Sequence, residues 1–473
     1  MHSQNNGNPL LQLPQFPEGL VGDVARYIFE AAPYPNETIA LTGALGFVAG
    51  IAGRAYNVEN AGLNQYLLTL APTGTGKEAI SAGTSKLLNA AWAKCPEITK
   101  VRGPGQLVSG SGLYKWLARL TNPTVFSIIG EFGLMLKALA APNANANMAL
   151  LQKVLLELYG KSEHGAGFDG AAYSDRDNVT DVIRSPSLTI IGEGVPETFY
   201  AALDEAMIRS GLLPRFLIFE TDAPRPRLNR NRAIEPPEAL VEAIARLANE
   251  AASLAHLNTV RRVSLSPEAA TMFDDYEGWT GEQVNGAGIE ATRHLWSRAH
   301  LKALKLAALS AVGRDPMNPR LEYGEAKWAA DLVHDQTWAL VRKFESGDVG
   351  EATANEAKQQ SEVCRVMREF IQKPFGEVSK YGATAEMHKG SLCPHAYISV
   401  RCLNLQVFPK GSKGEATAAL QRTIKTLVDN GEIEEVPRHY VWETFGVKPK
   451  TYRFAQRNPK ALFADGKPKF FDS

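Results

Sequence analysis

Cysteine is scarce, neither sign of charge is in excess, and no uninterrupted apolar run approaches the length of a membrane span. Each absence excludes a class of protein. Four cysteines in 473 residues, Cys95, Cys364, Cys393 and Cys402, are too few for a disulfide scaffold, which makes a reducing cytoplasm the expected compartment. Paired C-x-x-C knuckles are missing, and the loose grouping of His388, Cys393, His395 and Cys402 argues against structural zinc. The start, Met1-His2-Ser3-Gln4-Asn5-Asn6, is polar and lacks the basic-then-apolar layout of a signal peptide. The glycine- and alanine-rich stretch 39–55 is short for a bilayer and reads as a packed helix, so no membrane partner is expected. Lys/Arg and Asp/Glu balance at 51 each, but from residue 354 onward 19 Lys/Arg stand against 13 Asp/Glu. The C-terminal part is therefore the better candidate for an electrostatic footprint on nucleic acid.

What is present is ordinary in bulk: 44% hydrophobic and 22% charged residues, with room for two or three domains. The informative stretch is 66–80. A short apolar run, Tyr66-Leu67-Leu68-Thr69-Leu70, is followed by Ala71-Pro72-Thr73-Gly74-Thr75-Gly76-Lys77-Glu78-Ala79-Ile80. This predicts a buried strand, a glycine-punctuated turn and a helix start, the context a phosphate-binding loop needs. Glycines let successive backbone N–H groups converge on an anion, the helix N-terminus adds partial positive charge, and Lys77 can reach terminal phosphates. Pro72, Thr73, Gly74, Thr75, Gly76, Lys77, Glu78 and Ala79 are thus the expected nucleotide-binding residues, with ATP and Mg2+ as ligands. Two positions depart from G-x-x-x-x-G-K-[ST]: Ala71 replaces the first glycine, and Glu78 replaces the hydroxyl residue that touches magnesium.

In chain order, a polar arm over 1–17 precedes helices expected over 18–32 and 37–54, and the helix fed by the loop runs to about Cys95. After a helix over 113–120, Val125-Phe126-Ser127-Ile128-Ile129 predicts a second strand ending at Gly130-Glu131. A hydrophobic strand ending in acidic residues is where P-loop proteins hold magnesium and activate water. Glycine stands at 130 where aspartate is expected, so Glu131 is read as the group that polarises the attacking water, with Glu78 and Glu131 the metal candidates. A helix over 148–159 leads into the glycine-rich segment 160–181, which is long for a connection and carries Lys161, His164 and Arg176. It is either a DNA-gripping loop or a surface hairpin with solvated charges. Residues 187–193 predict a third strand, with Thr189 and Glu193 as candidates to sense a terminal phosphate. Arg209 and Arg215 flank the turn into a fourth strand at 216–219, and Arg215 is the preferred arginine finger. Helices are expected over 237–256, 266–283, 289–312 and 323–344, with Trp296, Trp328 and Trp338 as core. Beyond a linker, helices through 375, over 397–404 and over 415–430 precede strands at 432–436 and 451–454. That is the winged-helix order, and Lys413, Arg422 and Lys425 on its third helix would face a nucleic acid groove. A winged helix used only for protein contacts is the other reading.

Taken together, residues 71–78, 109–120, 127–136, 155–160, 185–199 and 211–219 resemble the RecA-like/AAA+ helicase domain of phage and plasmid replication proteins. The resemblance covers about 18–345. It implies an α/β fold: a RecA-like P-loop NTPase core (18–232), a helical appendage (233–345), a linker (346–356), a C-terminal winged-helix DNA-binding domain (357–457) and a tail (458–473). It also implies a ring-forming, hexameric ATP-dependent helicase that translocates on single-stranded DNA in the cytoplasm of a bacterial host cell, with duplex DNA as a further partner. Lys77 becomes the phosphate lysine, Glu131 the catalytic carboxylate and Arg215 the finger acting across subunits. Gly130 is the main departure and favours a rival, an ATP-binding replication initiator or regulator with little unwinding activity. A nucleotide-locked structural assembly is a second rival.

Overall fold

The structure, a computed structural model, describes residues 16–141, 144–169, 182–203, 205–287, 290–345, 354–408, 413–429 and 433–454. The chain divides into two compact units, one of Met1–Gly286 with Arg293–Trp338, the other of Ala287–Thr292 with Ala339–Ser473.

The first unit is a mixed α/β assembly around a four-stranded, all-parallel sheet. Its strands are Tyr66–Leu70, Thr124–Ile129, Ser187–Gly194 and Phe216–Glu220. Nearly every residue in these strands is buried, as expected for a parallel sheet covered on both faces. The spatial order is not the chain order: Ser187–Gly194 is inserted between Thr124–Ile129 and Tyr66–Leu70, and Phe216–Glu220 lies on the far side of Tyr66–Leu70. The connection out of Tyr66–Leu70 therefore runs past Ser187–Gly194 to Thr124–Ile129, while the connection out of Ser187–Gly194 runs the opposite way, past Tyr66–Leu70 to Phe216–Glu220. In open parallel sheets that switch of direction opens a crevice beyond the carboxyl ends of the strands, where ligands bind.

The helix Glu37–Ala52 is apolar all round, with thirteen of its sixteen residues buried. It passes the length and composition test for a membrane span over Glu37–Ala55, the one helix to do so among the described residues, and 89% of that window is buried inside the unit. It packs against the sheet and against the helices Leu20–Ala31, Ala79–Trp92, Glu238–His256 and Ala299–Arg314. Its glycines allow this approach: a Cβ on Gly50 would stand 2.5 Å from Phe126 Cδ1.

Of the helices expected as an appendage over 233–345, nearly all of those up to Trp338 fall within the first unit. The physical reason lies in short strands that carry no periodic signal. Arg261–Leu265 pairs in parallel with Tyr56–Val58, and with Arg320–Leu321 and Ala61–Gly62 they form a second sheet joining the two segments. Trp296 is fully buried in an aromatic group with Trp279, His334 and Trp338. Trp328 is half-buried.

The second unit contains the helices Ala354–Gln372, His395–Cys402 and Lys413–Asp429. The two expected strands form a hairpin, Ile433–Val436 pairing antiparallel with Thr451–Phe454 from Ile433↔Phe454 to Val436↔Thr451. Cys393–Pro394 adds a third strand on the other side of Thr451–Phe454, and the helix Arg438–Phe445 fills the connection inside the hairpin. Cys393 and Cys402 are buried in this unit's core with Val366, Phe370, Leu420 and Ile424, and burial raises both thiols well above the usual range.

Candidate functional site

The loop 71–78 leaves the carboxyl end of Tyr66–Leu70 and enters the helix Ala79–Trp92. Gly74 and Gly76 both have positive φ, 79° and 97°, which L side chains rarely adopt. Gly76 is doubly constrained, since a Cβ there would meet the Tyr34 carbonyl oxygen at 2.6 Å. Lys77 Nζ lies across the loop, donating to the carbonyl oxygens of Ala71 at 2.6 Å and Pro72 at 3.3 Å. Thr75 Oγ1 donates to Pro72 O, tying the bend together. Thr73, Gly74 and Glu78 are exposed, and Ala79 is buried at the helix start.

Glu131 follows the carboxyl end of Thr124–Ile129. It is exposed, holds the left-handed backbone (φ 50°, ψ 35°) and opens the helix Phe132–Ala140 without capping it through its side chain. A non-glycine residue in that region carries local strain, which is found disproportionately at functional sites. At Gly130 no atom lies within 4 Å of the position a Cβ would occupy, and its φ is not positive. Steric exclusion therefore does not explain the missing aspartate.

Glu193 is the penultimate residue of the inserted strand, in register with Thr69 of the loop strand and one residue beyond the Ile129↔Gly192 pair. Its strand stands in the sheet between the strand that leads into the 71–78 loop and the strand that leads to Glu131. Burial pushes the Glu193 carboxyl up to about 7; Lys77 pulls the other way, while Glu78 and Glu131 add to the rise. Glu193 thus feels the charges of Lys77, Glu78 and Glu131 at one end of the sheet. Glu193 Oε1 is buried without a hydrogen-bond partner among the described residues. Two residues with no sequence signal join them: Tyr34, between the first two helices, and Arg225, whose guanidinium lies 3.9 Å from the Tyr34 ring centroid.

The remaining expected residues lie elsewhere. Thr189 corrects the expectation of a phosphate sensor. It sits toward the amino end of its strand, fully buried, and its Oγ1 accepts from the Gln65 backbone N–H at 3.2 Å. Glu193 is four positions further on, about 13 Å along a strand. Arg215 precedes Phe216–Glu220 and is also at the amino edge. Its guanidinium donates to Gly211 O, lies 5.9 Å from the Tyr159 ring centroid, and has its pKa lowered by burial and then by Arg298. Arg209 is exposed. Lys161 is half-buried and His164 exposed at the start of the 160–181 segment; Arg176 lies outside the described residues. The base of that segment is fixed at the same amino edge, where Ser162 Oγ donates to Asn64 Oδ1 at 2.6 Å.

Sequence reasoning also missed two lysines on the helix Ala299–Arg314. Lys305 Nζ donates to Asn64 Oδ1 at 2.8 Å and lies 4.4 Å from the Tyr159 ring centroid, and Lys302 Nζ donates to Phe216 O at 3.2 Å. Burial lowers both ammonium groups to about 7. One helix thereby clamps the base of the 160–181 segment and the strand that follows Arg215.

In the second unit, Leu420, Ile424 and Leu427 of Lys413–Asp429 face the core while Arg422 and Lys425 are exposed. Lys413 begins the helix. Exposed Trp442 carries Lys448 Nζ 4.4 Å from its ring centroid. Comparison with protein-family models and with curated proteins finds no match for this chain.

Proposed function

We propose that the first unit is a RecA-like P-loop ATPase and that the chain is an ATP-driven DNA helicase or translocase of a mobile genetic element. The observation that carries this reading is the strand order, which brings Lys77, Glu131 and Glu193, from three separated segments, to one carboxyl edge of a parallel sheet at its switch point. In this mechanism the loop N–H groups and Lys77 bind the phosphates, and Glu131 orients the attacking water.

The donor chemistry at this edge fits a hard divalent cation. Carboxylate oxygens dominate it, and Glu193 Oε1 is an orphaned buried acceptor among the described residues. Among the described residues no three His, Cys, Asp or Glu side chains form a ready-made cage, and magnesium commonly takes one or two carboxylates plus phosphates and water. Glu78 and Glu131 would hold it. When bound, the ion neutralises charge that builds on the transferring phosphoryl group.

Arg215 stands at the opposite edge from Lys77 within its own chain, so its proposed role as a finger is one played toward a neighbouring subunit of a hexameric ring. The single-stranded DNA contacts proposed for Lys161 and His164 would also lie toward that edge. The second unit is read as a winged helix, supported by its helix order, its hairpin and the exposed basic pair Arg422 and Lys425. Trp442 beside Lys448 adds a base-stacking surface next to a cation.

The test is steady-state ATP hydrolysis by the wild type and Glu131→Gln, each with and without single-stranded DNA. DNA-stimulated turnover that falls at least a hundredfold in the variant is the expected result. Tight ATP binding with no wild-type turnover would sink the helicase reading in favour of an ATP-gated initiator, the rival that Gly130 favours.

A further inference from the structure

The segment after the fourth parallel strand, residues 221–229, is a strap tied down at both ends. At its start, Thr221 N–H donates to Leu70 O at 3.0 Å and Thr221 Oγ1 accepts from Asn36 Nδ2 at 3.4 Å. At its end, Asn229 N–H donates to Pro33 O at 2.8 Å and Asn229 Nδ2 donates to Glu30 O at 2.7 Å. Leu70 is the last residue before the phosphate loop, and residues 30–36 include Tyr34, whose carbonyl presses on Gly76. Both anchors therefore belong to the walls of the loop, and the middle of the strap is held beside it.

Arg225 occupies that middle. Its guanidinium stacks on the Tyr34 ring at 3.9 Å, and its Cζ and Nη1 are each 3.8 Å from the position a Gly74 Cβ would take. The side chain is exposed and makes no ion pair among the described residues. Stacking uses the face of a guanidinium and leaves the N–H edge free, and Arg presents that edge in a fork matched to phosphate oxygens. A cation on a flexible stem would lose conformational entropy when recruited to an anion; here Tyr34 and the two anchors have already restricted it.

We propose that Arg225, braced by Tyr34, is a second phosphate-binding cation of this chain's own nucleotide site, contacting the terminal phosphate of a bound nucleoside triphosphate. The inference rests on the nucleotide-binding reading of the 71–78 loop and adds to it a residue that recognises triphosphate. Gly74 is exposed on the loop while Gly76 and Ala79 are buried, and Arg225 stands beside Gly74. Discrimination between ATP and ADP then comes partly from within the subunit.

The experiment is equilibrium binding of ATP, ADP and AMP to the full chain, in the wild type and in Arg225→Ala, Arg225→Lys, Tyr34→Phe, Tyr34→Ala and Lys77→Ala. Arg225→Ala is expected to weaken ATP at least tenfold, ADP less, and AMP not at all. Arg225→Lys restores part of the loss because it keeps the charge without the fork. Tyr34→Ala weakens ATP in the same direction, and Tyr34→Phe, which keeps the ring, leaves affinity unchanged. ATP affinity unchanged or tighter in Arg225→Ala, alongside a wild type that binds ATP through Lys77, would overturn the role of Arg225 and leave the loop assignment standing. A wild type that binds no nucleotide, or binds it with equal affinity in Lys77→Ala, would overturn both.

Discussion

At the scale of single residues, Glu193 is the least comfortable group in the candidate site. Its carboxyl is raised from 4.5 to about 7, chiefly by burial, with Lys77 offsetting part of the rise. Between pH 4.5 and 7 the folded chain therefore holds a proton that the unfolded chain has released. Stability falls as pH rises through that window, and the full penalty is present above pH 7. Glu193→Gln removes the penalty, so the variant should match the wild type near pH 4.5 and be more stable by about 1–3 kcal/mol at pH 8. Urea unfolding at the two pH values measures this, and a difference independent of pH would contradict it. Lys77 and Glu131 were legible in the sequence because a phosphate loop and an acidic strand end are local patterns. Thr189 was misplaced because a threonine in a short strand says nothing about which end of the sheet it occupies. Arg225 and Tyr34 left no signal, since 190 residues separate partners that meet only through the folded strap.

Among the elements, length and pattern decided what could be read. The strands of the parallel sheet were visible as dense apolar runs, and their observed bounds lie within a residue or two of those expected. Tyr56–Val58 and Arg261–Leu265 were not visible, being three and five residues long and joined only by a pairing some two hundred positions apart. The helix expected over 289–312 is two, Glu290–Trp296 and Ala299–Arg314, and no proline or glycine marks the break at Ser297 and Arg298. Glu37–Ala52 was legible as a packed helix, and the structure adds why it needs its glycines. A side chain at Gly50 meets Phe126 at its Cδ1 and, at 2.6 Å, at its Cβ, in a ring held by the sheet and by Phe47. Gly50→Val is expected to cost about 1–3 kcal/mol by overpacking. A thermal melt unchanged from the wild type would show that this helix is not pressed on the sheet as described.

For the whole molecule, the parallel sheet separates two sets of groups. Its carboxyl edge carries Lys77, Glu131 and Glu193; its amino edge carries Arg215, Ser162 and the lysines Lys302 and Lys305. A strand of five residues spans about 16 Å, so a nucleotide at one edge would act on the other through the sheet and its packed helices. The chain divides at Trp338 and Ala339, and the helices before that point fall within the first unit, because packing onto the sheet rather than periodicity decides where a helix belongs. Everything proposed about function depends on the phosphate loop. The most direct test is the equilibrium dissociation constant of ATP for the full chain and for Lys77→Ala. Tight binding by the wild type, weakened about a hundredfold or more in the variant, is the expected result. Equal affinity in the two proteins would contradict a nucleotide site at this loop and, with it, the ATP-driven reading of the whole chain.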